Sequence, residues 1–253
     1  ETMLEIASGA QNLRAKEVGA YELREVTRQF NAMLDQIDQL MVAIRSQEET
    51  TRQYQLQALS SQINPHFLYN TLDTIIWMAE FHDSQRVVQV TKSLATYFRL
   101  ALNQGKDLIC LSDEINHVRQ YLFIQKQRYG DKLEYEINEN VAFDNLVLPK
   151  LVLQPLVENA LYHGIKEKEG QGHIKLSVQK QDSGLVIRIE DDGVGFQDAG
   201  DSSQSQLKRG GVGLQNVDQR LKLHFGANYQ MKIDSRPQKG TKVEIYINRI
   251  ETS

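Results

Sequence analysis

The apolar residues of this chain change period once, near Gly130, and that change divides what the chain can fold into. Up to residue 128 they recur every three or four positions, the spacing of one helix face. Beyond it they alternate over short runs, the spacing of strands. A chain of 253 residues written this way predicts a helical half followed by a half of mixed strands and helices.

In the helical half, Leu23, Val26, Phe30, Met33, Ile37, Leu40 and Ile44 keep alternating steps of three and four, the seam of a coiled coil. Arg24, Arg28, Gln29, Asp35, Gln36 and Asp38 lie off that seam, and Gly9 and Gly19 bracket a short connector before it. One helix cannot bury such a seam alone, so a second, parallel copy of the chain is expected against it. From Gln47 to Tyr54 the seam turns polar; apolar residues return as Leu56, Leu59 and Ile63, and after Pro65 as Leu68, Leu72, Ile75 and Ala79 in a new phase. Proline removes a backbone hydrogen bond and crowds the carbonyl four residues back, which predicts a bend at Pro65. Val87, Val90, Leu94, Tyr97, Phe98 and Ala101 form a second amphipathic run, so a hairpin turns near Phe81–Ser84. Two such hairpins from two chains would make a four-helix bundle. The segment Asn103–Leu111 reads as a hinge; Ser112 is then a candidate N-cap, with Asp113 and Glu114 in the first turn of a helix running toward Arg128.

After Gly130, Lys132–Asn138, His173–Lys180, Leu185–Glu190, Gln230–Asp234 and Lys242–Ile247 read as strands, with helices at Pro149–Ile165 and Val212–His224. Strands joined mostly by hairpin-length turns, with helices interleaved, predict an α+β sandwich rather than a doubly wound sheet. Gly200–Gly211, rich in Ser, Gln and Gly, reads as a loop.

Composition narrows the function classes. A net charge of -4 gives no basic excess, which argues against a nucleic-acid partner. The single cysteine, Cys110, excludes an internal disulfide or a thiolate metal cluster and is expected to be a small core residue. No apolar run approaches the ~18 residues that cross a bilayer, and no signal peptide opens the chain. Because the chain starts on Glu1 inside an amphipathic pattern, it is expected to be a fragment, with any membrane anchor upstream.

Three groups of residues in the second half carry chemistry. Leu156-Val157-Glu158-Asn159-Ala160-Leu161-Tyr162-His163-Gly164 places polar side chains on a helix otherwise committed to the core. An asparagine there can offer a carbonyl oxygen to Mg²⁺, or the segment is a polar helix end capped by Gly164. Asp191-Asp192-Gly193-Val194-Gly195-Phe196 follows a strand. Its carboxylate can accept from an exocyclic amine while glycines let backbone approach a flat ring, or it is a glycine turn. Lys208-Arg209-Gly210-Gly211-Val212-Gly213-Leu214 leads into a helix, where free backbone N–H groups suit phosphate; the plainer reading is a flexible loop.

The order of these pieces, closed by Gly240-Thr241 before a last strand, resembles the GHKL ATPase superfamily of gyrase, MutL and histidine kinases over roughly Leu133 to Ile247. The resemblance implies a Bergerat ATP-binding fold with Asn159 on Mg²⁺ and Asp191 on the adenine amine. It also implies that Gly193, Gly195, Gly211 and Gly213 shape pocket and lid, beside Leu214 and Thr241. Tyr162 stands where many histidine kinases carry lysine, so Lys208, Arg209 or His163 is expected to take the phosphate contact instead.

Asn64-Pro65-His66-Phe67-Leu68-Tyr69-Asn70 resembles the acceptor motif of the LytS/YesM-like sensor histidine kinases, and Leu153-Gln154-Pro155-Leu156-Val157-Glu158-Asn159-Ala160 is similar to the same subgroup. Neutral imidazole is nucleophilic near pH 7, and the phosphoramidate it forms transfers readily to a carboxylate. Asn70 lies one helical turn beyond His66 and could orient an imidazole or a water. Phe67 stands where other subgroups carry an acidic base, so Glu158 is expected to supply it. His82, His117, His173 and His224 read as surface or structural. The segment around Phe30-Asn31-Ala32-Met33-Leu34 resembles the second helix of a HAMP signalling domain.

Together these imply residues 1–45 as the end of a HAMP domain and coiled coil, 46–128 as dimerisation and phosphotransfer helices, and 129–253 as the ATP-binding domain. The expected function is that of a two-component sensor histidine kinase: a homodimer that uses ATP and Mg²⁺ to phosphorylate His66 and passes the phosphoryl group to the receiver domain of a response regulator. The chain would be the cytoplasmic portion of a bacterial plasma-membrane protein. The competing expectations are an ATPase of the gyrase or MutL kind, or a nucleotide-binding dimerisation module without histidine phosphorylation.

Overall fold

A computed structural model describes residues 16, 21, 24–41, 65–102, 107–139, 146–181, 184–196 and 211–248. The chain forms two compact units, Glu1–Ile63 and Asn64–Ser253. In the first, residues 24–41 are helical (α1). Glu25 accepts hydrogen bonds from Arg28 and Gln29 one turn on, the spacing at which helix side chains meet. The coiled-coil positions Val26, Met33, Ile37 and Leu40 are 47–58% exposed on the single chain. Leu23 and Ile44 lie outside the described residues.

The second unit begins with the expected helical hairpin, α2 (Pro65–Glu80) and α3 (Ser84–Leu102). His82 takes a left-handed conformation (φ 59°) in the turn, and the Asp83 carboxylate accepts the Arg86 N–H to open α3. Residues 51–64 lie outside the described residues, so α2 is seen from Pro65 onward. Phe67 and Thr71 are the buried residues of α2, whereas Leu72, Ile76 and Trp77 are exposed. On α3 the buried residues are Val90, Leu94, Tyr97 and Ala101.

The next helix, α4 (Leu111–Tyr129), departs from the expected start. Ser112 is not its N-cap; Cys110 occupies that position in extended conformation, with no side-chain cap. The cause is a short strand, β1 (Leu108–Cys110), paired antiparallel with β3 (Val147–Pro149), which keeps the chain extended up to Cys110. The Leu111 N–H is then satisfied by the Leu146 carbonyl at 2.8 Å. The described end of the supposed hinge Asn103–Leu111 is therefore tied into a ladder. Cys110 itself is half-buried.

Glu114 lies in the first turn of its own helix, as expected, but its carboxylate works elsewhere. It is fully buried, and its carboxylate accepts the backbone N–H groups of Leu151, Val152 and Leu153 at 2.9, 2.6 and 2.8 Å. Three successive N–H groups turned toward one carboxylate cannot also continue a helix, and Leu151 is left-handed (φ 57°). The single helix expected over Pro149–Ile165 is consequently a strand end, an irregular turn, α5 (Gln154–Asn159) and a π-helical turn over Ala160–Ile165.

The expected strands form one five-stranded sheet in the order β2-β4-β5-β7-β6. They run over Leu133–Glu139 (β2), Gly172–Gln181 (β4), Gly184–Asp191 (β5), Tyr229–Arg236 (β6) and Gly240–Ile247 (β7). β2 pairs parallel with β4 and the other neighbours are antiparallel, as an α+β sandwich requires. Ile174, Leu176, Ile187, Ile189, Val243 and Ile245 are buried in one core with α4, α5, the π turn and helix α6 (Gly211–Phe225). Charged residues pair across strands, Arg188 with Glu244 at 2.8 Å and Lys175 with Glu136 at 3.2 Å.

The hairpin sits on this half through aromatic rings. Phe67 lies 4.8 Å from Tyr97 and 5.2 Å from Tyr121, and Tyr97 stacks on His117 at 4.4 Å. His117 is buried, and its ring nitrogens meet no hydrogen-bond partner among the described residues, so burial lowers its pKa to about 4.

Two stability predictions follow from these burials. Replacing Glu114 by Ala orphans three N–H groups and should cost at least about 3 kcal/mol in urea unfolding, with Glu114→Gln intermediate. Because the folded pKa of His117 is depressed below 6.5, its contribution is present above that pH and is lost as pH falls toward 4. A His117→Leu variant should flatten the acid side of the Tm-against-pH curve, removing a fall worth about 3 kcal/mol.

Candidate active site

β5 delivers Asp191 to the end of the sheet, beside Thr241 of β7. The following loop folds back on its own strand end: Asp191 Oδ1 accepts the Gly193 N–H at 2.9 Å. The Val194 N–H then donates to the Gly164 carbonyl at 3.2 Å, and the Gln238 N–H donates to the Val194 carbonyl at 2.7 Å. This close approach explains the glycines. A Cβ on Gly164 would stand 2.5 Å from Asp191 Oδ1, one on Gly193 2.3 Å from the Gly164 backbone, and one on Gly240 1.8 Å from the Asp191 carbonyl. Gly195 adds a left-handed conformation (φ 59°) that favours glycine. Gly164 therefore does not cap a helix; it lies inside the π turn, and its missing side chain admits the aspartate.

Around Asp191 opens a cavity of about 190 Å³. Its polar lining is Asn159, His163, Asp191 and Thr241, and Leu156, Ile189, Phe196, Leu214 and Val243 supply apolar walls. Burial is the main cause that raises the Asp191 carboxyl to about 6, while the Gly193 and Thr241 N–H groups pull it down. A slot with apolar walls, a glycine floor and one recessed carboxylate fits a flat ring that carries an exocyclic N–H donor.

The cavity thus gathers Asn159, His163, Asp191, Gly195, Leu214 and Thr241, and Gly193 stands at its edge on Asp191. Gly211 and Gly213 fall in the first turn of α6, with Gly213 against Pro155. Lys208 and Arg209 lie outside the described residues. Glu158 does not line the cavity. Its Oε1 accepts from Gln154 Nε2 at 2.9 Å, and Gln154 also donates to Tyr97 Oη at 2.8 Å. Burial raises the Glu158 carboxyl, opposed by that hydrogen bond. His66 is exposed in the first turn of α2, directly before the buried Phe67. Asn70 is half-buried, with Nδ2 unpartnered among the described residues. The described residues contain no group of three or more His, Cys, Asp or Glu able to hold a metal ion. No described helix is long and apolar enough to cross a membrane.

The apolar lining was invisible as function in the sequence, because Leu156, Ile189 and Val243 follow the same period as any core residue. Gln154 and Tyr97 were missed too, since 57 residues separate these hydrogen-bonded partners.

Comparison with known proteins is consistent with both halves. Residues 54–133 match the family described as histidine kinase. Residues 145–250 match the histidine kinase-, DNA gyrase B- and HSP90-like ATPases. An uncharacterized Bacillus subtilis protein, YwpD, is 34% identical over 252 residues, covering 97% of this chain and 88% of that protein.

The chain belongs to the histidine kinase family.

The sensor histidine kinase YesM of Bacillus subtilis is 32% identical over 222 residues, 88% of this chain. The sensor histidine kinase BtsS of Escherichia coli K12 is 32% identical over 199 residues, 79% of this chain. The chain spans 38% of the length of YesM and 34% of that of BtsS. The matched ATPase region implies ATP binding.

If the Asp191 carboxylate accepts from the adenine amine, binding requires its ionised form. With a carboxyl raised to about 6, affinity should be nearly full at pH 7 and fall as pH drops. The expected loss is about tenfold by about pH 5, measured with a fluorescent ATP analogue. Asp191→Asn should bind more weakly and lose this pH dependence.

Proposed function

We propose that this chain autophosphorylates His66 from ATP and passes the phosphoryl group to an aspartate on the receiver domain of a response regulator. The observation that carries the reading is an exposed His66 whose neighbour Phe67 packs on Tyr97, the residue hydrogen-bonded through Gln154 to Glu158 beside the nucleotide slot. An imidazole nitrogen of His66 attacks the γ-phosphorus, the bond to the ADP oxygen breaks, and Glu158 takes the ring proton. Burial favours this role, because a carboxylate with a raised pKa is a stronger base. Asn70 orients the imidazole or a water from one turn below.

Asn159 would hold Mg²⁺ through its side-chain carbonyl, and the ion would neutralise charge on the phosphates. His163, Lys208 or Arg209 supplies the phosphate contact, while Gly193, Gly195, Gly211, Gly213, Leu214 and Thr241 shape pocket and lid. Two copies pair as a homodimer through a four-helix bundle. The exposed stripe Val26, Met33, Ile37 and Leu40, together with Leu72, Ile76 and Trp77 on α2, supports that pairing. The domain division at residues 45 and 128 and the HAMP likeness of the first segment belong to the same proposal, as does attachment to a membrane through a segment outside this chain.

Incubation with γ-labelled ATP and Mg²⁺ should label the wild type in an acid-labile, base-stable form. Label should vanish in His66→Gln and in Asn159→Ala, and fall at least about a hundredfold in rate in Glu158→Gln. Label persisting on His66→Gln would sink the acceptor assignment.

A further inference from the structure

We infer that Gln154 is a positioning residue that couples the seating of the helical hairpin to the orientation of Glu158. The inference rests on the reading of Glu158 as the base. Gln154 Nε2 has two protons, and both are committed: one to Tyr97 Oη at 2.8 Å, the other to Glu158 Oε1 at 2.9 Å. The two donors of a planar amide diverge at a fixed angle, so the tyrosine oxygen on α3 determines which edge of the amide faces Glu158. With the amide turned over, its carbonyl would point at a carboxylate, a repulsive arrangement.

The two anchors belong to different parts of the unit. Glu158 and Gln154 share one face of α5, four residues apart. Tyr97 belongs to the hairpin, where its ring packs on Phe67, the residue after His66. Gln154 and Tyr97 are both buried, so water does not readily replace either partner. When α3 is seated, Gln154 holds Glu158 in one orientation. When α3 withdraws, the amide is released and the carboxylate loses its guide. The base is thus assembled only while the acceptor hairpin is docked, which would limit wasteful ATP hydrolysis when the histidine is away.

The experiment is single-turnover labelling of His66 from γ-labelled ATP on the full chain, with transfer rate and ATP affinity measured separately. The variants are Tyr97→Phe, Gln154→Leu, Glu158→Gln and the double variant Gln154→Leu/Glu158→Gln. Tyr97→Phe keeps the ring packing and removes only the acceptor oxygen, so it remains informative if Gln154→Leu folds poorly. Both single variants at 97 and 154 should slow transfer about fivefold to tenfold with ATP affinity unchanged. The double variant should be no slower than Glu158→Gln. If Gln154→Leu instead slows the Glu158→Gln background by the same factor, or weakens ATP binding without slowing transfer, the coupling is overturned while the base reading stands. If Glu158→Gln transfers at the wild-type rate, the base reading itself fails and the coupling with it.

Discussion

The placement of everything around the nucleotide slot depends on one buried carboxylate. Glu114 lies on α4, the helix against which the hairpin packs, and it gathers the N–H groups of the three residues that precede α5. A buried carboxylate without such partners would be strongly unfavourable, and three donors are what make its burial tolerable. The same bonds fix where α5 begins, and therefore which way Gln154, Glu158 and Asn159 face. Those residues are consecutive or one turn apart, so a shift of the helix start by a single residue would rotate each by about 100°. The Asn159 side chain would then leave the cavity and Glu158 would leave the hairpin.

A second constraint follows at the other end of this segment. The π turn over Ala160–Ile165 carries Gly164 against Asp191 with no room for even one carbon atom between them. The contact recesses the aspartate until burial raises its carboxyl to about 6. That is a cost in the free protein, since the ionised form is held in a poorly solvated place. A ligand that donates a hydrogen bond there relieves the cost, so some of the binding energy is prepared by the fold. The helix segment is thus clamped twice, by a carboxylate at its start and by a glycine contact at its end, and the functional side chains lie between the clamps.

The sequence disclosed the parts that depend on period and on chain-local motifs. The hairpin, five of the strands, α6 and the polar cluster around Asn159 follow directly from spacing, and their chain order pointed to the family. The parts it concealed were set by partners distant in the chain. Nothing local marks Leu108–Cys110 as a strand, because three residues carry no period and the pairing partner lies beyond Leu146. Ser112 has the right chemistry for a cap, yet the ladder places the cap at Cys110 and the helix start two residues earlier. Gly164 looked like a helix terminator because glycine commonly is one, and only its distance to Asp191 shows that the absent Cβ is what matters. Glu114 is a first-turn acid of its own helix, as expected, yet its carboxylate organises the start of another.

The contact between the hairpin and α4 is centred on buried aromatic rings. Its area is aromatic: Phe67, Tyr97 and Tyr121 lie with ring centroids 4.8 to 6.4 Å apart. Such contacts are worth about 0.5–1.5 kcal/mol each beyond burial. His117 is stacked among them with neither ring nitrogen satisfied by a described neighbour, which weakens the closed state. The directional contact between α3 and α5 is the hydrogen bond from Gln154 to the Tyr97 hydroxyl. On the proposed reading, an acceptor brought to the nucleotide must afterwards be freed for a partner, so a seam bonded too tightly would stall after the first step. Here the rings share one buried core with Val90 and Leu94 of the hairpin, and the hydrogen-bonded link from α3 to α5 runs through one amide.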